Sequence, residues 1–165
     1  LKDKLSIAEL QHALNIMESL RVKMLFSQNV NQNIALSKLI IDKNNRIFLP
    51  DFGNIEIKLR PLEKALYILY LKHPEGIGLS FLCDHKVELN DIYANLSSIG
   101  ALQEIKARID DIVDVTKNSA VEKISKIKAT FVKAIGEKLA KYYYIHGGNG
   151  ESKKIDLNRN LVNQL

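Results

Sequence analysis

Apolar residues recur along this chain with more than one period, and each period predicts a different element. In the first 28 residues Leu10, Ala13, Met17, Leu20 and Met24 fall three and four apart, with Leu14 and Ile16 widening the stripe. That spacing predicts a long N-terminal helix with one apolar face. Barely two heptads are present, too few for a free coiled coil. The stripe therefore either packs on the domain that follows or pairs with a second copy of itself; both readings stay open. A polar stretch, 29–33, ends it. The period then shortens to two. Leu39, Ile40 and Ile41 lead into the turn Asp42-Lys43-Asn44-Asn45, and 46–49 returns. After a second turn at 50–54, Ile55, Ile57 and Leu59 alternate with Glu56 and Lys58. These are the marks of a small antiparallel meander.

Helical periodicity resumes at Pro61, whose fixed φ and missing N–H suit the first position of a helix. The segment 61–72 is apolar nearly all round, which predicts the most buried helix of the domain, and His73-Pro74-Glu75-Gly76 stops it. A second helix is predicted from Leu79 and Ser80 through Phe81, Leu82, Leu89, Ile92, Tyr93 and Leu96, broken by Ser97-Ser98-Ile99-Gly100. A third carries Leu102, Ile105, Ile109 and Ile112 on one side and Glu104, Asp110, Asp111 and Asp114 on the other. A long helix, 119–141, follows. Ser119 and Glu122 have the spacing of a capping box, and Val121, Ile124, Ile127, Phe131, Ile135 and Leu139 form its core stripe. The opposite side shows Lys126, Ala129, Thr130, Lys133 and Glu137, flanked by Lys123 and Ser125. Residues 142–157 read as a hairpin tipped by Gly147-Gly148-Asn149-Gly150, with Tyr143 pointing away from Tyr142 and Tyr144.

Charge sharpens this picture. Between Lys117 and Lys141 seven lysines face only Glu122 and Glu137, a balance of +5, which equals the formal charge of all 165 residues. Everything outside 117–141 sums to zero. A basic helix beside a basic hairpin is the layout of a winged helix, with nucleic-acid phosphates as the obvious partner. Composition agrees with an ordinary globular domain, at 46% hydrophobic and 26% charged residues. The single cysteine, Cys83, excludes a disulfide framework and suits a reducing cytoplasm. No apolar run approaches the roughly 20 residues of a membrane helix, and no signal peptide is visible. The chain opens at Leu1 rather than a methionine, so upstream sequence, such as a sensor or receiver domain, is expected.

Two blocks carry a family likeness. Leu59-Arg60-Pro61-Leu62-Glu63-Lys64-Ala65-Leu66, ending in Lys72-His73-Pro74-Glu75-Gly76, is similar to the strand-to-first-helix passage of the OmpR/PhoB-type response regulators of bacteria. Lys123-Ile124-Ser125-Lys126-Ile127-Lys128 is similar to the core of their recognition helix. The chain thus resembles the effector domain of that family over about 38–160. The resemblance implies an α+β fold: a winged helix-turn-helix with a small N-terminal antiparallel sheet and a C-terminal β-hairpin wing. The long N-terminal helix (1–33) precedes this domain (34–165), and a helix at about 100–115 is extra to the family pattern. It further implies transcription regulation, with Ser125, Lys126 and Lys128 at the major groove and its flanking phosphates and the hairpin on the adjacent backbone or minor groove. Ala129, Thr130 and Phe131 depart from the family pattern, as does the glycine-rich tip.

Lysine in place of arginine favours phosphate contact over bidentate guanine reading. The candidate DNA-binding residues are Lys123, Ser125, Lys126, Lys128, Thr130, Lys133, Asn149, Lys153 and Lys154. The candidate dimerisation residues are Leu10, Ala13, Met17, Leu20 and Met24. Asp110, Asp111 and Asp114 are placed to lie against the lysines as a latch. Catalysis is not expected. Cys83-Asp84-His85 are sequence neighbours about 100° apart on a helix and form no nucleophile–base pair. His12, His73, His85 and His146 lack metal-site spacing, so neither metal nor cofactor is expected. The glycine tip lacks the Lys-Ser/Thr of a phosphate loop. The sequence therefore predicts a DNA-binding regulator-like module; the alternative is a winged helix used for protein–protein assembly.

Overall fold

Three short strands and the turns between them open the folded unit, as the alternating pattern requires. The computed structural model describes residues 7, 8, 10–17, 35–96 and 102–164. Contacts divide the chain into two units, Leu1–Ala35 and Leu36–Leu165. In the first, 10–17 is helical and all its residues are exposed, among them Leu10, Ala13 and Met17. Leu20 and Met24 lie outside the described residues.

In the second unit β1 (Leu39–Ile41) and β2 (Ile47–Leu49) pair antiparallel, and β2 pairs antiparallel with β3 (Ile55–Ile57). The β1–β2 turn is organised by Asp42. Its carboxylate accepts from the backbone N–H of Asn44 (2.9 Å) and Arg46 (2.8 Å) and from the Arg46 Nε (2.8 Å). Together these donors, led by the Arg46 backbone N–H, hold its pKa below the ordinary aspartate value. Leu39, Ile41, Ile47, Leu49 and Ile57 are buried under the sheet. The sheet is not purely antiparallel, however. β4 (Val162–Gln164) returns from the C-terminal end and lies parallel to β1, giving the order β3-β2-β1-β4. Only three residues long and mostly polar, β4 has too little alternation to be read as a strand.

Helix α1 (Pro61–Lys72) is the core of the unit, with 65–71 buried. Its start is fixed by Pro61 and by Glu63, whose carboxylate accepts from the Arg60 N–H at 3.1 Å. Its end is fixed from far along the chain. The Arg159 Nε donates to the Leu71 carbonyl (2.7 Å) and the Nη2 to that of Tyr70 (3.1 Å). The Arg159 Nη1 donates to the carbonyls of Leu157 (2.5 Å) and Ile155 (3.2 Å). One guanidinium thus closes α1 and holds the turn (Arg159–Leu161) that leads into β4.

The second predicted helix begins as a tight 3-10 stretch, Leu79–His85, and becomes α-helical only as α2 (Lys86–Leu96). Helix α3 (Leu102–Val113) packs between α2 and α4 (Ser119–Ile135) through Ile105, Ile109 and Ile112, all buried; the Leu102 side chain lies outside the described residues, as do 97–100. The capping box is not formed. Asn118 is the N-cap and makes no side-chain cap bond, so Ser119 already sits inside the helix, one residue too far along to cap it. Nor does the helix run to Lys141. Gly136, at φ 78° and ψ 156°, breaks it, and Leu139 is buried from a separate short helix, α5 (Glu137–Ala140). Val121 leaves the core stripe altogether and is exposed.

The tyrosines also differ from the prediction. Residues 141–144 form a helical turn rather than a strand, so Tyr143 and Tyr144 are both buried and Tyr142 is half-buried. Tyr143 donates to the Ser37 carbonyl (2.9 Å) and its own carbonyl accepts from Tyr67 (2.8 Å). This chain of bonds ties α1 to the entrance of the sheet. Burial pushes the hydroxyls of Tyr67 and Tyr143 well above the ordinary tyrosine pKa.

Candidate nucleic-acid interface

The amphipathic pattern of α4 decides which of its side chains face outward. Ile127 and Phe131 are fully buried, with Phe131 packed on Tyr67 and Tyr143. One face away, Ser125, Lys126, Ala129 and Lys133 are exposed, and Lys123 and Thr130 are half-exposed. Lys126, Thr130 and Lys133 are spaced four and three apart and so share one stripe. Ala129 beside them leaves room for close approach of a sugar–phosphate backbone. The Thr130 hydroxyl donates back to the Lys126 carbonyl at 2.9 Å, so its proton is used within the helix.

Three of the candidate lysines are drawn into local contacts. Lys128 lies on the other flank, 3.5 Å from the Glu137 carboxylate and 4.9 Å from the centre of the Tyr144 ring. Tyr144 and Glu137 together raise its pKa. Lys153 folds over the hairpin tip and donates to the carbonyls of Gly147 and Gly148 (2.8 Å to the latter). Lys154 lies 3.5 Å from Asp156, which also holds the His146 Nε2 at 2.7 Å. Asn149 stays exposed at the tip. Of the residues singled out in the sequence, the geometry therefore gathers Lys123, Ser125, Lys126, Thr130 and Lys133 on one face of α4, while in the hairpin Lys153 is tied to backbone carbonyls and Lys154 to Asp156.

The hairpin itself is shorter than predicted. A single antiparallel bridge, His146 to Lys154, joins its two sides, because Ile145, Ile155 and Leu157 turn into the core instead of extending a ladder. On its far side Lys153 pairs with Ile77, in the connection between α1 and α2, through backbone bonds of 2.9 and 3.0 Å. Gly76 makes this approach achievable. Its φ is +88°, and a Cβ there would meet the Lys153 carbonyl oxygen at 2.7 Å.

Of the seven lysines in 117–141, the acidic latch meets only Lys117. Asp110 pairs with Lys86 and Asp111 with Lys117, both at 2.5 Å, while Asp114 accepts from Thr116 N (2.9 Å) and Oγ1 (2.6 Å). These partners lie on α2 and in the α3–α4 turn, nearer to the carboxylates than the stripe on α4. Among the described residues, no carboxylate pairs with Lys123, Lys126 or Lys133.

Comparison with family models, characterised proteins and solved structures gives no match.

A second cluster has no short regular spacing in the sequence. His73, His85 and Glu88 converge at the junction of α1 and α2. The His73 Nε2 lies 2.9 Å from one Glu88 oxygen, and the His73 Nδ1 lies 2.9 Å from Glu75. The two imidazoles meet edge to face at 4.5 Å. Glu88 and then Glu75 raise the His73 pKa against the opposing effect of burial, while Lys72 and His73 lower that of Glu88. The visible signal was His85-x-x-Glu88, one helical turn apart; what hid it was the distance along the chain to His73.

No helix of the described residues is long and apolar enough to cross a membrane.

Proposed function

We propose that the 36–165 unit is a winged-helix module that binds duplex DNA, with α4 as its recognition helix and 145–155 as its wing, in the manner of a transcription regulator. The observation that carries this reading is the face of α4: lysines and small residues, outward, with no carboxylate paired to Lys123, Lys126 or Lys133 among the described residues. The docking of the hairpin on the α1–α2 connection supports its assignment as a wing. Contact is mainly with phosphates. Lysine is a point charge without the planar fork that reads guanine, and Lys128, Lys153 and Lys154 already have partners.

Fluorescence anisotropy on a generic duplex tests this at two salt concentrations. Three lysine–phosphate contacts give a slope of about −3 in log affinity against log salt, with affinities in the usual non-specific range of roughly 10⁻⁴–10⁻⁶ M. Absence of binding at ~50 mM salt would refute the reading.

A second reading is protein–protein assembly, including a homodimer through the N-terminal helix. It is favoured by the exposure of Leu10, Leu14 and Met17 on 10–17. Sedimentation that shows self-association, together with failure to bind duplex, would select it.

A further inference from the structure

His73, His85 and Glu88 are brought together from two elements. His73 is the residue that caps the end of α1, and His85 and Glu88 straddle the start of α2. All three side chains are half-buried, with exposures of 22, 27 and 30%. The donor atoms lie within 4.8 Å of one another.

The hydrogen bonding around His73 defines what this cluster needs. Each His73 ring nitrogen faces a carboxylate at 2.9 Å, Glu75 at Nδ1 and Glu88 at Nε2. In the neutral tautomer whose proton is on Nδ1, toward Glu75, the Nε2 presents a lone pair to the Glu88 oxygen 2.9 Å away. Two lone pairs at that distance repel unless a cation lies between them. A proton answers the requirement, and so does a metal ion. With bonds of about 2.0–2.1 Å to each atom, a separation of 2.9 Å corresponds to an N–metal–O angle of about 90°.

The His85 Nδ1 is 3.9 Å from the same Glu88 oxygen. That is too long for a hydrogen bond, yet within reach of the third ligand position. Closing the full set around one ion needs side-chain shifts of about 1 Å, which half-exposed rotamers can supply. Glu75 behind His73 is the carboxylate that fixes the ring's tautomer, as such groups do at metal-bound histidines. The other Glu88 oxygen is held by the Lys72 ammonium, so the oxygen that faces the two imidazoles is the one to ligate.

We propose that His73, His85 and Glu88 form a binding site for a first-row transition ion of the Zn²⁺ class. Two imidazoles and one carboxylate are a borderline donor set, suited to Zn²⁺ rather than to Mg²⁺ or Ca²⁺. Three protein ligands leave a further position open to solvent for water or an exogenous ligand. The ion would tie the end of α1 to the start of α2, next to the Gly76–Ile77 segment on which the hairpin docks.

The test uses the chain without an affinity tag, stripped by a chelator and titrated with Zn²⁺ in a calorimeter and with Co²⁺ in a spectrophotometer. One ion per chain is expected, with visible Co²⁺ absorption typical of low coordination number. At 100-fold excess over Kd, Zn²⁺ should raise Tm by roughly 8–13 °C. His85→Ala is the discriminating variant. His85 makes no hydrogen bond in the cluster, so metal-free stability should hardly change, while Zn²⁺ affinity should fall at least tenfold. His73→Ala and Glu88→Gln should lower it further, and His146→Ala, outside the cluster, should leave it unchanged. Absence of binding by the wild-type chain overturns the proposal. So does binding that survives His85→Ala and Glu88→Gln at full strength in variants shown to be folded by circular dichroism.

Discussion

Replacing Arg159 with alanine removes a guanidinium that donates to four backbone carbonyls, those of Tyr70, Leu71, Ile155 and Leu157. Tyr70 and Leu71 are in the last turn of α1, where carbonyls have no partner within the helix. A hydrogen bond from a charged donor contributes about 1.5–3 kcal/mol. The four share one donor group and the site is only half-buried, so water can take over part of the load in the variant. The expected loss is about 3 kcal/mol rather than the full sum. For a folded unit of this size that corresponds to roughly 9–15 °C in Tm. Urea unfolding followed by circular dichroism gives the free energy directly. Hydrogen exchange should locate the damage in β4 and at the carboxyl end of α1. Arg159→Lys keeps the charge but not the fork, and should recover less than half of the loss. A change below about 0.5 kcal/mol in Arg159→Ala, with an unaltered denaturant dependence, would refute the view that this side chain ties the C-terminal segment to the end of α1.

Three further outcomes follow from the same geometry. Gly136→Ala should destabilise by about 1–3 kcal/mol in urea unfolding, because φ 78° with ψ 156° is a region open almost only to glycine. The pair Lys126→Ala and Lys133→Ala should make the salt slope of duplex binding shallower by about 2, whereas Lys128→Ala, already engaged with Glu137 and Tyr144, should leave it unchanged. Asp42 has a depressed folded pKa, so its contribution is present above its unfolded pKa and is lost as pH falls through the folded value. Asp42→Asn should therefore flatten the acid limb of the stability–pH curve, measured by urea midpoints from about pH 2 to 6.

The parts of this fold legible in the sequence are those set by local pattern. Ile57 and Leu59 alternate with Glu56 and Lys58, Pro61 starts a helix, and the run 65–71 can only be core; each is found where its spacing places it. What escaped depends on partners far along the chain or on a single dihedral. Gly136 could have been tolerated inside a helix, and only its backbone angles show that the helix ends there. Tyr142-Tyr143-Tyr144 fits a strand as well as a turn, and hydrogen bonds to Ser37 and Tyr67 settle it. The face of α4 followed from its 3.6-residue period. The state of each lysine did not, because whether Lys128 or Lys154 is free depends on Glu137 and Asp156 arriving beside it. His73 joins His85 and Glu88 only because α1 and α2 pack together, and no short motif encodes that.

The parallel pairing of β1 with β4 has a kinetic side. Leu39 and Val162 come from opposite ends of the folded unit, so their contact closes the longest loop in it and is among the last to form. On a ribosome the meander 39–57 and α1 emerge before the strand that covers the outer edge of β1. During that interval β1 presents Leu39, Ile40 and Ile41 with an unpaired backbone, the kind of edge that recruits strands from other chains. Arg159 arrives just ahead of β4 and so directs the final strand to that edge. Once it is in place the sheet ends on Asn163 and Gln164 rather than on three aliphatic residues.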